Sequence, residues 1–545
     1  MEKDRLFKIK RGLALCGSLL MLYAAQGHAF YFNQGDLKGA FDTDITYGAS
    51  ARTENPDAGN LGSYGNRVFN DKGDIFSNSI RGSSTLSLDY KNVGMLVRGN
   101  YFYDFQYADE KLADDAEDSL VSDVTLTDAF VYGYFGDNDQ FNVRLGQQVI
   151  SWGENTFIQG SLNDINTVDV NKLRQPGLAL KDAFIGTTAA YVSWTSDSDW
   201  SVESFYLFDF AKVETDPAGS FFSTFDPLGD GGGYDTAGNG IVDGVCLSPD
   251  GISCDLGGIV RVGDDQPNGG QYGLAVRKFV PGLFNGTEFA VYYQKLHDHL
   301  PVISSYYRTG QFFFEYVPNI ERLGASFNTN YASWAISGEY SLRKDTPVQL
   351  TAGVLNAVGV DIGECATSVC TPGQRVKGYD VIDRHQVQMT FQRIWGVTQI
   401  IGADDNSTLV EVAYGWVDDM PKNVAILGGT AQSLFNPHAT DNYWGFQALQ
   451  SFTYNAALFK VVNVLPFVAF RWDVDGYSNE ISPNFVEDRK ALTLGVNFSY
   501  GSETVTGGIS WTSFTGPTDK LNQGGGRLND LTDRDFVQAN ISYSF

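Results

Sequence analysis

The sequence predicts an all-β fold, a transmembrane antiparallel up-and-down β-barrel of about eighteen strands, and three observations predict it. The chain ends on a strand, DFVQANISYSF, with Val537, Ala539, Ile541, Tyr543 and Phe545 on one face and Gln538, Asn540, Ser542 and Ser544 on the other. Alternation of period two gives one greasy and one wet surface. Segments of this kind recur, and the links joining them are short and long by turns, as in barrels whose turns are short on one side of the membrane and long on the other. Beyond residue 29 no apolar run reaches the 18 or more residues of a membrane helix.

Lys3, Arg5, Lys8, Lys10 and Arg11 precede an apolar run from Gly12 to Ala25, and Gly27-His28-Ala29 offers a small-x-small cleavage site. Residues 1–29 therefore read as a signal peptide and 30–545 as the barrel. Without the signal the net charge is about −30, which argues against nucleic acid as a partner. The terminal Phe545, with apolar residues at every second position before it, resembles the signal read by the barrel assembly machinery of a Gram-negative outer membrane. The final strand must also close on the first, because an unpaired edge is not tolerated in lipid.

The predicted strands are 38–53, 78–90, 93–107, 123–135, 139–150, 184–195, 199–211, 270–279, 286–298, 321–331, 334–343, 380–395, 407–418, 443–456, 463–474, 489–500, 504–515 and 534–545. Short links such as Lys91-Asn92, Ala332-Ser333 and 501–503 alternate with long ones, 54–77, 108–122, 151–183, 212–269, 299–320, 419–442 and 516–533. An even count puts both termini on the short-link side, the periplasm in this architecture. Sixteen strands remain an alternative: PVQLTAGVLNAV, within 344–379, reads as a further strand or a short helix, and the link 396–406 is longer than its counterparts.

Parity assigns the faces. On 93–107, Val93, Met95, Val97, Tyr101, Tyr103 and Phe105 face lipid, which leaves Arg98, Asn100 and Asp104 inside. Arg81, Arg144, Arg471, Asp89, Glu203, Glu411 and Asp473 join them in a mainly polar lumen, with Leu96, Phe102, Leu465 and Phe467 as its apolar members. Trp194, Trp416, Trp444, Trp472 and Trp511 fall near strand ends, as interface girdles require.

One segment is not a strand: RLGQQVISWGENTFIQGSLNDINTVDVNKLRQPG, 144–177. It begins as the fifth strand and becomes a link with a Trp-Gly-Glu turn, two Asn/Asp clusters and a Pro-Gly stop. A link this long that keeps Phe157, Ile158, Leu162, Ile165, Val168, Val170 and Leu173 packs on something, and the nearest surface is the barrel interior. The expectation is an inward-folded plug or constriction over 151–183. It would bury Trp152, Glu154, Asn155, Asn163, Asp164 and Asp169, with Arg98 or Arg144 as partners of the carboxylates.

This stretch, with YGASARTENPD at 47–57 and the Arg98 strand, resembles the proteobacterial outer-membrane barrel family DUF1302, a domain of unknown function, over essentially all of 30–545. Thr167 in INTVDV stands where proline is expected, and LALKDA at 178–183 carries Asp182 where glutamate is expected. The resemblance implies genes beside a resistance-nodulation-division transporter and a periplasmic lipid-carrier-like protein. It thus implies passage of lipid-like compounds across the envelope, with outer-membrane lipid and lipopolysaccharide as surroundings.

Cys246 with Cys254, in the loop 212–269, and Cys365 with Cys370, in 344–379, form two local pairs. An even count behind an export signal favours disulfides. In DPLGDGGGYDTAGNGIVD, Asp235, Asn239 and Asp243 have the spacing of calcium ligands, but Ala237 and Cys246 occupy positions where ligands are needed. A solvated Gly/Asp loop competes with this structural calcium site, and no other cofactor is expected. ADEKLADDAEDS, with six acids, reads as a solvated loop, and His297 with His299 as interface histidines or a metal pair. No motif nominates a nucleophile or a general base, so an enzyme is not expected. The leading functional expectation is a channel for hydrophobic or amphipathic compounds. A substrate-specific porin for polar solutes, or a docking barrel of an envelope complex, is the alternative.

Overall fold

Alternating segments become wall strands because each buries one face and pairs on both edges. The computed structural model describes residues 30–60, 64–112, 114–224, 229–230, 260–351, 361–426, 429–432, 434–501, 503–522 and 526–545. The expected signal peptide, the Cys246–Cys254 pair and the calcium candidates Asp235, Asn239 and Asp243 lie outside the described residues.

Eighteen strands form the wall: β1 Leu37–Arg52, β2 Ile75–Tyr90, β3 Val93–Asp104, β4 Ser122–Phe135, β5 Phe141–Gln148, β6 Thr187–Thr195, β7 Trp200–Leu207, β8 Gln271–Val280, β9 Thr287–Leu296, β10 Ile320–Tyr331, β11 Trp334–Gln349, β12 Tyr379–Ile394, β13 Asp405–Val417, β14 Asn442–Leu458, β15 Val462–Asp475, β16 Lys490–Tyr500, β17 Val505–Thr515 and β18 Phe536–Ser544. Each pairs antiparallel with its neighbours in sequence, and β18 pairs with β1 from Asp44 opposite Ser544 to Arg52 opposite Phe536. The seam is extended by Thr43 and Phe545, which exchange both backbone hydrogen bonds, at 2.7 and 2.9 Å. A further short strand, Phe30–Gln34, folds back on β1 alone.

The faces follow parity. Val93 and Tyr103 on β3 are 43% and 41% exposed, whereas Phe102 and Asp104 are 8% and 3%. Val131, Leu145, Val291, Ile509 and Ile541 extend the apolar outer belt around the ring. A two-residue link joins β10 to β11 with Ala332 and Ser333 both at positive φ, 48° and 68°, the handedness that matches strand twist.

Several features differ from the sequence expectation. The strand expected to end at Arg343 runs on to Gln349, through a register shift between Arg343 and Thr346 that admits Pro347. Residues Phe184–Ile185, expected at the head of β6, instead pair with Thr167–Val168. A Cβ at the intervening Gly186 would lie 2.1 Å from the Thr127 carbonyl. The acidic run is not wholly solvated, since a helix Asp114–Leu120 buries Ala116 and Leu120 beside Phe69, Phe76, Phe221 and Phe222. At the long-link end a four-stranded sheet, Val260–Asp265, Val302–Tyr306, Gln311–Glu315 and Arg375–Val376, lies beside the Cys365–Cys370 disulfide.

Candidate functional site

The link between β5 and β6 keeps little regular structure. Its one α-helix, α1 Val170–Arg174, is N-capped by Asp169, which accepts from the Lys172 backbone N–H at 2.9 Å. The Asn166 carboxamide ties the first half into a loop by bonding both backbone groups of Ile150. Ser151 donates to Asn163, and the Asn155 amide to the Ile158 carbonyl.

Three wall glutamates hold this first half. Glu411 on β13 accepts the backbone N–H groups of Thr156 (2.7 Å), Phe157 (3.0 Å) and Ile158 (2.8 Å), with Gln388 and Thr390 completing its shell. Glu339 on β11 accepts from the N–H of Glu154 at 2.6 Å and of Leu162 at 3.4 Å. Glu203 on β7 accepts from the Trp152 indole at 2.7 Å, Tyr191 and Arg277. A buried carboxylate is tolerable only when several donors satisfy it; the link's own backbone supplies them for Glu411 and Glu339, and side chains do so for Glu203.

Apolar packing reinforces these bonds. Trp152, Ile150, Leu162 and Ile165 are buried with Phe205, Leu207, Ala290 and Tyr292 of the wall, and Ile158 packs with Ala413, Tyr443 and Phe485. Wall glycines make the room: a Cβ at Gly324 on β10 would lie 2.3 Å from Leu162, and one at Gly48 on β1 would lie 2.7 Å from Pro176.

The second half reaches other strands. Arg81 on β2 donates to the Gly177 carbonyl, Asn100 on β3 to the Asp182 carbonyl at 3.2 Å, and Gly177 lies against Asn540 on β18. Lys172 pairs with Asp123 at 3.0 Å and Asp169 at 3.2 Å. Burial pulls its ammonium down, but the two carboxylates more than offset this and hold it above the ordinary lysine range. A cavity of about 280 Å³ opens between this half and the wall, lined by Asp44, Arg81, Ser83, Asn100, Lys181 and Asp182 among others. The link thus contacts β1 and β10, nine places apart in a ring of eighteen.

Of the residues expected on the link, Trp152 is fully buried, while Glu154, Asn155, Asn163, Asp164 and Asp169 are half-buried. The expected partners of the carboxylates are corrected. Arg98 pairs with Asp128 at 3.1 Å, and Arg144 donates to Asn142 and lies over the Phe130 and Tyr191 rings. Arg144 stands on β5, at the link's root, and Arg98 two strands away on β3, whereas Asp164 is carried across to Arg343 (3.2 Å) and Arg322 (3.6 Å), and Glu154 accepts from Asn328. Asp104 accepts from Ser77 and nearby backbone N–H groups, and Arg471 pairs with Asp473 at 2.9 Å. Sequence reasoning passed over Glu339, Arg322, Arg343 and Arg384. His297 and His299 flank Phe210 and bond to backbone groups, and no cluster of three or more metal-ligating side chains occurs among the described residues.

No curated protein matches the chain. Among solved structures it is similar to a BenF-like porin from Pseudomonas fluorescens Pf-5 (10% identity, TM-score 0.45, covering 94% of this chain and 98% of that one). It is also similar to OpdK of Pseudomonas aeruginosa with vanillate (8%, 0.44, 93% and 98%) and to OccAB4 of Acinetobacter baumannii (8%, 0.43, 93% and 98%). At this distance the likeness assigns no cargo and no residue role. The family model described as "Protein of unknown function (DUF1302)" matches residues 10–545, and the chain, with its closed eighteen-stranded wall, belongs to that family.

Proposed function

We propose that the protein is an outer-membrane channel for polar solutes, with the 149–186 link folded across its interior as a constriction and the short links, with both termini, on the periplasmic side. The observation that carries the reading is the span of the link between β1 and β10, on opposite sides of the ring. Packing against both sides of the ring is what a segment crossing the bore would make. The surfaces beside it are charged or hydrogen-bonding: Glu203, Glu339, Glu411, Arg81 and the lining of the cavity.

The expectation of a hydrophobic cargo loses its footing here. Such a cargo needs a continuous apolar path or a gap in the wall. Many of the apolar interior residues are taken up in packing link to wall, and all eighteen strands are paired on both edges. The test replaces residues 155–174 by a short Gly/Ser linker, which cuts no wall strand. The variant should still migrate as a heat-modifiable barrel, and its conductance in planar bilayers should rise several-fold, with faster liposome swelling by sugars. Unchanged conductance in a folded variant would reject the constriction.

A further inference from the structure

Three arginines stand abreast on the inner face where β10, β11 and β12 meet. The register sets Arg322 opposite Arg343 and Arg343 opposite Arg384, and the three are 0%, 7% and 3% exposed. Like charges directly opposed on neighbouring strands repel, so the row needs anions. Asp164 comes from the link, and Glu480, from the link between β15 and β16, pairs with Arg384. Asp298 is also near the row, but its Oδ1 accepts from the Leu300 N–H.

Charge is therefore close to balance, and hydrogen bonding is not. Among the described residues Arg322 finds no acceptor for Nε or either Nη, and Arg343 and Arg384 find none for Nε. Asp164 offers the same oxygen, Oδ2, to both Arg343 and Arg322, and at 3.6 Å from Arg322 Nη1 it is beyond hydrogen-bonding reach. A guanidinium is a planar fork of donors that matches the two oxygens of a carboxylate or phosphate. One shared oxygen leaves that capacity unused.

We propose that the Arg322–Arg343–Arg384 row is a binding site for a small oxyanion, a carboxylate or phosphate, for which Asp164 is an internal competitor. The incoming anion takes the donors of Arg322 and Arg343 and displaces Asp164, which frees that stretch of the link from β10 and β11. The consequence for transport rests on the link being the constriction, and the binding itself does not.

The test is isothermal titration of the purified full-length barrel in detergent with succinate and, separately, with inorganic phosphate. Saturable binding of at least one is expected. It should weaken at least ten-fold in Arg322→Gln, tighten in Asp164→Asn, and stay unchanged in Arg308→Gln, whose partner Asp361 lies outside the wall. Binding of one anion alone names the class. No saturable binding of either anion, or equal affinity in Arg322→Gln and wild type, overturns the proposal, and Asp164→Asn keeps it testable should Arg322→Gln fail to fold. The linker replacement reads separately. Unchanged conductance with Arg322-dependent binding sinks the constriction and leaves the site standing, and raised conductance without binding does the reverse.

Discussion

Glu411 concentrates more of the link's attachment than any other wall side chain described, because one carboxylate closes three consecutive backbone N–H groups. Hydrogen bonds to a charged group are worth roughly 1.5–3 kcal/mol each, and water recovers part of that on truncation. Glu411→Ala should lower the cost of opening residues 156–158 by about 3 kcal/mol. Hydrogen exchange at those amides should then be about a hundred-fold faster, with strand amides unaffected. Gly324 makes a steric counterpart. Gly324→Ala places a methyl group against Leu162 and should cost about 1–3 kcal/mol in thermal stability. Leu162→Ala in that background should return part of the loss, and a purely additive double variant would count against the contact.

Part of this was legible in the sequence. The two-residue link Ala332-Ser333 fixes the β10–β11 register, and counting outward from it along both strands opposes Arg322 to Arg343. The partnership of Arg343 with Arg384 was not legible, since a long link and a register shift intervene. Nor was the Glu411 nest. Parity places Glu411 inside, but nothing local connects it to amides some 255 positions away.

At the scale of elements, strands were readable because alternation is a local property and links were readable only as interruptions. The link's composition showed that it would pack, yet its polarity of attachment was inverted. Wall carboxylates grip link amides, whereas the sequence suggested wall cations gripping link carboxylates. Asp164 is the exception and gives the link a pH signature. Burial pushes its carboxyl up, but Arg343 and Arg322 more than offset this and hold it below the ordinary range. A depressed carboxyl contributes stability that is complete above its unfolded value of about 4 and is lost as pH falls through the folded one.

Glu154 and Asp182 act in the opposite sense, both raised by burial. Their ionisation costs the packed link nothing in acid and progressively more as pH climbs from the unfolded value to the raised one. The Asp164 contribution is isolated by difference. Exchange at amides 160–166 should accelerate below pH about 4 in wild type and respond less in Asp164→Asn. Identical profiles would show that the ion pair does not hold the link.

For the whole molecule, the seam is the informative contact. β18 pairs with β1 over nine residue pairs, and Phe545 adds two backbone bonds to Thr43 beyond them. Deleting Phe545 removes those bonds and the terminal aromatic together. The heat-modifiable barrel recovered from the outer membrane should fall several-fold while export continues, and normal recovery would show the terminus to be dispensable. The closed ring itself was legible because a final strand with one apolar face has no stable alternative to pairing with the first. The four-stranded sheet at the long-link end was not, as its short strands are brought together from links far apart in sequence.

The seam also bears on the order in which the molecule is completed. Pro176 and Gly177 lie against Gly48 of the first wall strand and Asn540 of the last, so the link's far end spans the junction where the ring begins and finishes. Until the last strand arrives, half of that seat does not exist. The full seat of residues 176–177 therefore exists only once the first and last strands of the wall have met.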